Sequence, residues 1–168
     1  MDDGYSTISE LKTRSDSGAH VRVRGWVRTN RCGGRIGFIA LSDGSCLSGC
    51  QIVYDTDGAG ITREATKLPT GCAIEASGEF VLTPDAKQPF EIKADTLTLI
   101  GSCDNDYPMQ KKRHTLEFLR ESPHLRVRTN TFQAMFRVRS VLCAAVHEYF
   151  QRNGFIYVTT PIITGNDA

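Results

Sequence analysis

Between His20 and Gly101 the apolar residues fall at every second position in short runs, and Gly, Asn, Asp and Pro clusters separate the runs. Period-two alternation puts successive side chains on opposite faces of a strand, so each run predicts a half-buried β-strand. The first is HVRVRGWVRT (20–29), where Val21, Val23 and Val27 alternate with arginines and Gly25 offers a bulge. After the turn NRCGG come RIGFIALSDG (35–44), ending on the turn signal Asp43-Gly44, and SCLSGCQIVYD (45–55), which together predict a hairpin. ITREATKL (61–68) differs: Ile61, Ala65 and Leu68 have helical spacing, and Pro69 stops the short helix they predict. CAIEASGEFVL (72–82) and FEIKADTLTLIG (90–101) supply two more strands, with TPDAKQP between them.

Three strands, a short helix and two strands is the order of an OB-fold, a five-stranded Greek-key barrel that binds oligonucleotides across one face. A small sandwich gives a similar strand count, so alternation alone leaves both open. Beyond residue 104 the alternation stops, and Pro108, Pro123 and a basic run mark a linker. FQAMFRVRSVLCAAVHEYFQRNG (132–154) then predicts an amphipathic helix with Phe132, Met135, Phe136, Leu142, Ala145, Val146, Tyr149 and Phe150 on one stripe. Thr129 or Asn130 is its N-cap and Gly154 its stop. A β-rich strand, FIYVTTP, follows and ends at Pro161. The expected organisation is a mainly β domain over 1–104, a hinge over 105–130, and a fragment of an α/β domain over 131–168. One helix and one strand cannot bury their own apolar faces, so that last piece needs a partner.

Composition adds limits. The 168 residues are 40% hydrophobic and 23% charged, enough for one well-cored domain and part of a second. No apolar run approaches the roughly 20 residues that span a bilayer, and the start MDDGYSTISELK is polar and acidic, so no membrane association and a cytoplasmic location are expected. Six separated cysteines without a secretion signal read as reduced, mostly buried thiols, and no spacing among them or the histidines suggests a metal site. The formal net charge of +1 hides a local excess: Arg22, Arg24, Arg28, Arg31 and Arg35 lie in a stretch without any acid. That pattern suits a nucleic-acid surface and equally a solvated face.

The linker is more specific. YPMQKKRHTLEFLRESPHLRVRTNTFQAMFRVRS closely resembles the segment joining the two domains of asparaginyl-tRNA synthetases, and HEYFQRNGFIYVTTPIIT is similar to motif 1 of class II synthetases. With GWVRTNR and SDGSCL, the resemblance extends over nearly the whole chain. It departs at Val127, where the family pattern has proline, and at Cys50, where a bulkier residue is common. Aspartyl- and lysyl-tRNA synthetases share the barrel and motif 1, but their linker lacks the KKRHTLEFLR run.

The resemblance implies that the barrel reads the anticodon loop of the asparagine tRNA. Parity places Phe38 opposite Ile39 and Leu41, so Phe38 faces outward if those two fill the barrel and inward if they do not; the resemblance implies an outward Phe38 stacked on an anticodon base. It likewise implies that Gln51 reads the middle uridine, that Glu91 contacts the anticodon, and that Arg28 and Arg31 hold the loop backbone. Lys111, Lys112 and Arg113 are expected to lie along the tRNA or to form a solvated hinge. Motif 1 implies a homodimer in the full-length protein, with Phe155 and Pro161 at its interface. ATP and magnesium are expected for that protein, through motifs 2 and 3, which this sequence does not contain. No catalytic residue, cofactor or metal is expected in these 168 residues. A free-standing nucleic-acid-binding protein derived from a synthetase is the alternative.

Overall fold

The computed structural model describes residues 4–61, 63–104, 106–163 and 165, apart from the side chain of Arg63. The chain divides into two compact units, Met1–Thr129 and Asn130–Ala168.

The first unit is a closed barrel built from β1 (His20–Gly33), β2 (Ile36–Ser42), β3 (Cys50–Asp55), β4 (Gly60–Ile61), β5 (Ala73–Leu82) and β6 (Phe90–Gly101). The strands run in the order β3-β2-β1-β5-β6-β4, and β3 also pairs with β6 in parallel, which closes the sheet on itself. β4 is a two-residue addition to the same edge of β6, pairing through Thr96 and Leu97. Five long strands therefore make the barrel, as expected of an OB-fold. Alternate residues point inward: Val21, Val23, Val27, Ile39, Leu41, Ile52, Tyr54, Ile74, Phe80 and Ile92 are all buried in one core.

Several expected local features differ. The bulge in β1 falls between Val27 and Thr29 in its pairing with β2, while Gly25 keeps regular register with Ile74. Gly25 is needed for another reason: a Cβ there would lie 2.7 Å from the Ser42 carbonyl oxygen. The third strand begins at Cys50, not directly after Gly44, because the Asp43 carboxylate organises a longer loop. It accepts from the Ser45 backbone N–H (2.9 Å) and hydroxyl (2.7 Å), and from the Ile8 N–H (2.7 Å). The short helix before Pro69 is a 3-10 turn, Arg63–Lys67, with Ala65 and Leu68 buried. No disulfide forms among the cysteines, and only Cys50 and Cys72 are fully buried; Cys32 and Cys143 are exposed. Burial pushes the Cys50 thiol up to about 12, leaving it unreactive.

The acidic start, read from sequence only as polar, contains α1 (Ile8–Leu11). Thr7 and Glu10 form a reciprocal capping box, and Ile8 and Leu11, one turn apart, are fully buried in the barrel core. Just before it, the Tyr5 ring lies under two guanidinium groups, Arg24 at 3.5 Å and Arg22 at 4.6 Å from its centroid. Arg22 bonds Glu75 at 2.7 Å, Arg24 bonds it at 3.2 Å, and the Tyr5 hydroxyl donates to it at 2.7 Å. Two of the five clustered arginines thus fasten the N-terminal segment to β5.

Residues 106–129, expected to be a hinge, belong to the same unit as the barrel. They contain α2 (Leu116–Glu121), capped by the Thr115 hydroxyl, and a 3-10 turn over Arg126–Arg128. The Arg128 guanidinium lies 4.6 Å from the Trp26 ring centroid and donates to the Tyr107 hydroxyl at 3.3 Å, while Arg28 donates to the Arg128 carbonyl. A cation over an aromatic face and the Arg28 contact hold this segment against β1.

The second unit is the helix α3 (Asn130–Arg152) with residues 153–163 and 165 after it. It ends in a Schellman motif: Phe155 N–H donates to the Phe150 carbonyl, Gly154 N–H donates to that of Gln151, and Gly154 has φ +84°. The strand expected over Phe155–Pro161 is not formed. Residues 155–163 carry no regular structure, since a strand without a neighbour leaves its ladder groups unpaired.

A Cβ at Gly37 would lie 2.0 Å from Cζ of Tyr54, whose ring is buried and whose hydroxyl bonds Asn30 at 3.1 Å. Gly37→Ala should therefore destabilise the barrel by about 1–3 kcal/mol in urea unfolding, the usual cost of overpacking. Hydrogen bonds, first from Arg22 and then from Tyr5, hold the Glu75 carboxyl well below the carboxylate range, at about 2. Its contribution is complete above the unfolded value of about 4.3 and disappears as pH falls towards 2. Glu75→Gln should cost about 1 kcal/mol at pH 7, because the half-exposed arginines are screened by water, and the difference from wild type should vanish near pH 2.

Candidate nucleic-acid interface

Because Ile39, Leu41, Cys50, Ile52, Tyr54 and Ile92 point into the barrel, their sequence neighbours on β2, β3 and β6 must point out. Strand register sorts these outward residues into two rows. Arg31 pairs with Phe38, Phe38 with Val53, and Val53 with Lys93. Thr29 pairs with Ala40, Ala40 with Gln51, and Gln51 with Glu91. Directly paired residues share a face, so the rows lie side by side on one surface across four strands.

The Phe38 side chain stands out, 41% exposed. Gln51 is half-buried, and its Nε2 donates to Oε2 of Glu91 at 3.2 Å. Ala40, the small residue between Phe38 along β2 and Gln51 across to β3, is half-buried. Phe38 and Gln51 are diagonal neighbours, about 7–8 Å apart in such a lattice. An exposed ring beside a fixed amide can take a flat heterocycle on its face and hydrogen-bond its edge. Arg31 and Lys93, both exposed and both without an ion pair among the described residues, put a cation at each end of the Phe38 row.

Four sequence-identified residues, Arg31, Phe38, Gln51 and Glu91, are thus brought together. Arg28 is not in either row: it occupies the β1 bulge, half-buried, with its guanidinium on the Arg128 carbonyl. Arg35 pairs with Asp55 at 3.2 Å. Lys111, Lys112 and Arg113 lie exposed in the segment ahead of α2. Phe155 and Pro161 are exposed in the second unit. Lys93 and Val53 were missed as members of the surface. Alternation in FEIKAD and CQIVYD already puts them on the outward face, but only the β3–β6 register shows that they adjoin Phe38. Among the described residues no cluster of His, Cys, Asp and Glu could hold a metal ion, and no helix is long and apolar enough to cross a membrane.

Comparison with known proteins agrees with this architecture. Residues 21–100 match the OB-fold nucleic acid binding domain, and residues 115–168 match class II tRNA synthetases (D, K and N). The asparagine–tRNA ligase of Clostridium acetobutylicum is 54% identical over 151 residues, 90% of this chain and 32% of that protein. The one from Acetivibrio thermocellus is 53% identical over 156 residues, 93% of this chain and 34% of that protein. The crystal structure of asparaginyl-tRNA synthetase from Pyrococcus horikoshii superposes with a TM-score of 0.83 at 25% identity, covering 98% of this chain and 39% of that one. The chain spans about a third of the length of the curated relatives it matches. With an OB domain and a class II synthetase segment in succession, and about half its residues identical to those relatives, the chain belongs to the asparaginyl-tRNA synthetase family.

Proposed function

We propose that the outward face of β1, β2, β3 and β6 recognises the anticodon loop of the asparagine tRNA, as the tRNA-reading part of an asparagine–tRNA ligase. The observation that carries this reading is the pair of rows in which Phe38 is exposed, flanked by Arg31 and Lys93, and adjoined by the bonded pair Gln51 and Glu91. An anticodon is a single strand whose bases can leave the stack. Stacking on an aromatic ring, with hydrogen bonds to the base edges, is how such loops are read.

Phe38 supplies the stacking face and Gln51 the donor and acceptor for the middle uridine. Arg31 supplies a planar fork for phosphate. Arg28, at the β1 bulge, contacts the loop backbone. Lys111, Lys112 and Arg113 add tRNA backbone contacts further along.

In the full-length protein, ATP-dependent attachment of asparagine, with magnesium, belongs to the remainder of the class II domain. There the exposed apolar residues of α3, with Phe155 and Pro161, find their cover in that domain and in a second subunit. The cytoplasm is the compartment where such an enzyme works.

Replacing Phe38 with Ala should weaken binding of an asparagine anticodon stem-loop by about 1–3 kcal/mol in a fluorescence titration, the value of one base stack. Unchanged affinity would remove Phe38 from the interface. Changing the middle uridine should matter less once Gln51→Ala is made. Additive losses in that double-mutant cycle would count against the contact.

A further inference from the structure

We propose that Arg128 is a positioning residue: it closes the linker into a loop pinned on Trp26, and so presents Lys111, Lys112 and Arg113 to tRNA from a fixed place on the barrel. This rests on the proposed tRNA backbone contacts of that basic run. It goes beyond them by making their strength depend on a residue that need not touch RNA.

Trp26 points out of β1, since its neighbour Val27 is buried, and its side chain is 38% exposed. The Arg128 guanidinium lies over this ring, 4.6 Å from the centroid, and donates to the Tyr107 hydroxyl at 3.3 Å. Tyr107 and Arg128 are 21 residues apart, at the two ends of the folded linker. One side chain therefore joins both ends of the segment and docks them on the barrel.

The barrel is shaped to receive them. Gly71, just before β5, has φ +97°, and a Cβ there would lie 2.9 Å from the Tyr107 ring. The Gly71 N–H donates to the Val27 carbonyl and the Val27 N–H donates to the Cys72 carbonyl, both at 2.8 Å, so the Tyr107 seat is fixed to β1 beside Trp26. Within the loop, Met109 and Leu119 are buried on either side of the basic run. The Gln110 carbonyl accepts from the Lys112 N–H at 2.7 Å and bonds the His114 ring at 3.0 Å, and that ring stacks on Phe118 at 4.9 Å. The backbone of the run is thus held, while its three side chains are exposed and make no ion pair among the described residues.

Three long cations on a loose loop must be ordered by the binding event itself, which lowers affinity; on a pinned loop much of that ordering is already done. Arginine suits the joint, because its planar group covers an aromatic face while its N–H fork reaches a second partner.

The test titrates a transcript of the asparagine tRNA into the 168-residue chain, Arg128→Ala, the triple variant Lys111→Ala, Lys112→Ala, Arg113→Ala, and all four changes combined. The triple variant should flatten the slope of log affinity against log salt by about 2, the counterion release of three phosphate contacts. Arg128→Ala should weaken binding by about tenfold in the wild-type background and by less than about twofold in the triple variant, because only the ordering of the run is lost. Without RNA, hydrogen exchange at the Phe118 and Leu119 amides should accelerate by roughly tenfold in Arg128→Ala and by less in Tyr107→Phe, while Ile74 and Ala76 of β5 keep their protection.

Equal losses from Arg128→Ala in both backgrounds would mean that Arg128 contacts RNA itself or supports the barrel face directly, and would overturn the inference. Unchanged exchange at Phe118 and Leu119 would overturn it too, since the loop would then be fixed by other contacts. A triple variant with wild-type affinity and salt slope would show instead that the run does not touch tRNA, removing the reading on which the inference rests and the inference with it.

Discussion

The parallel pairing of β3 with β6, Gln51 to Tyr54 against Glu91 to Ala94, closes the barrel. Without it the sheet would end in two open edges, and the core residues Ile52 and Ile92 would lie on separate margins. With it, inward and outward positions are fixed on both strands together, since a slip of one residue would exchange every buried side chain for an exposed one. The same pairing builds the surface: residues forty positions apart, Gln51 and Glu91, become neighbours, and Lys93 joins Val53 beside Phe38.

Charge is divided according to the same geometry. The acid-free stretch from Arg22 to Arg35 reads as a single basic patch, but the barrel separates its members. Arg22 and Arg24 meet Glu75 and Tyr5, where they hold the N-terminal segment and help bury Ile8 and Leu11. Arg28 supports the linker, and Arg35 pairs with Asp55. Arg31 stays without an ion pair among the described residues on the outward face, where Lys93, from a distant part of the chain, joins it. A count of arginines therefore overstates the basic character of β1, and the cation that completes the surface lies outside the cluster.

Much of the barrel was legible because strand alternation is a local signal: the parity of Phe38 against Ile39 and Leu41, and of Gln51 against Cys50 and Ile52, follows from spacing alone. Features that depend on a partner far along the chain were not. The loop after Gly44 is longer than the turn signal suggests because Asp43 reaches back to the N–H of Ile8. α1 was overlooked although Thr7 and Glu10 have capping-box spacing, since its polar surroundings hide Ile8 and Leu11. The strand expected after Gly154 has the composition for a sheet but no neighbour in this chain to pair with. The linker carries the clearest resemblance to the family, yet its stack of Arg128 on Trp26 could be seen only in three dimensions.

In the proposed function, one face of the barrel, the two rows through Phe38 and Gln51, receives the anticodon loop. The most direct measurement is backbone amide chemical-shift mapping of the chain during titration with the asparagine anticodon stem-loop. The perturbed residues should cluster at 29–31, 38–40, 51–53 and 91–93, with Tyr5, Arg22, Arg24 and Glu75 unaffected. Perturbations centred on the Tyr5–Glu75 side, with residues 38–40 and 51–53 silent, would contradict it.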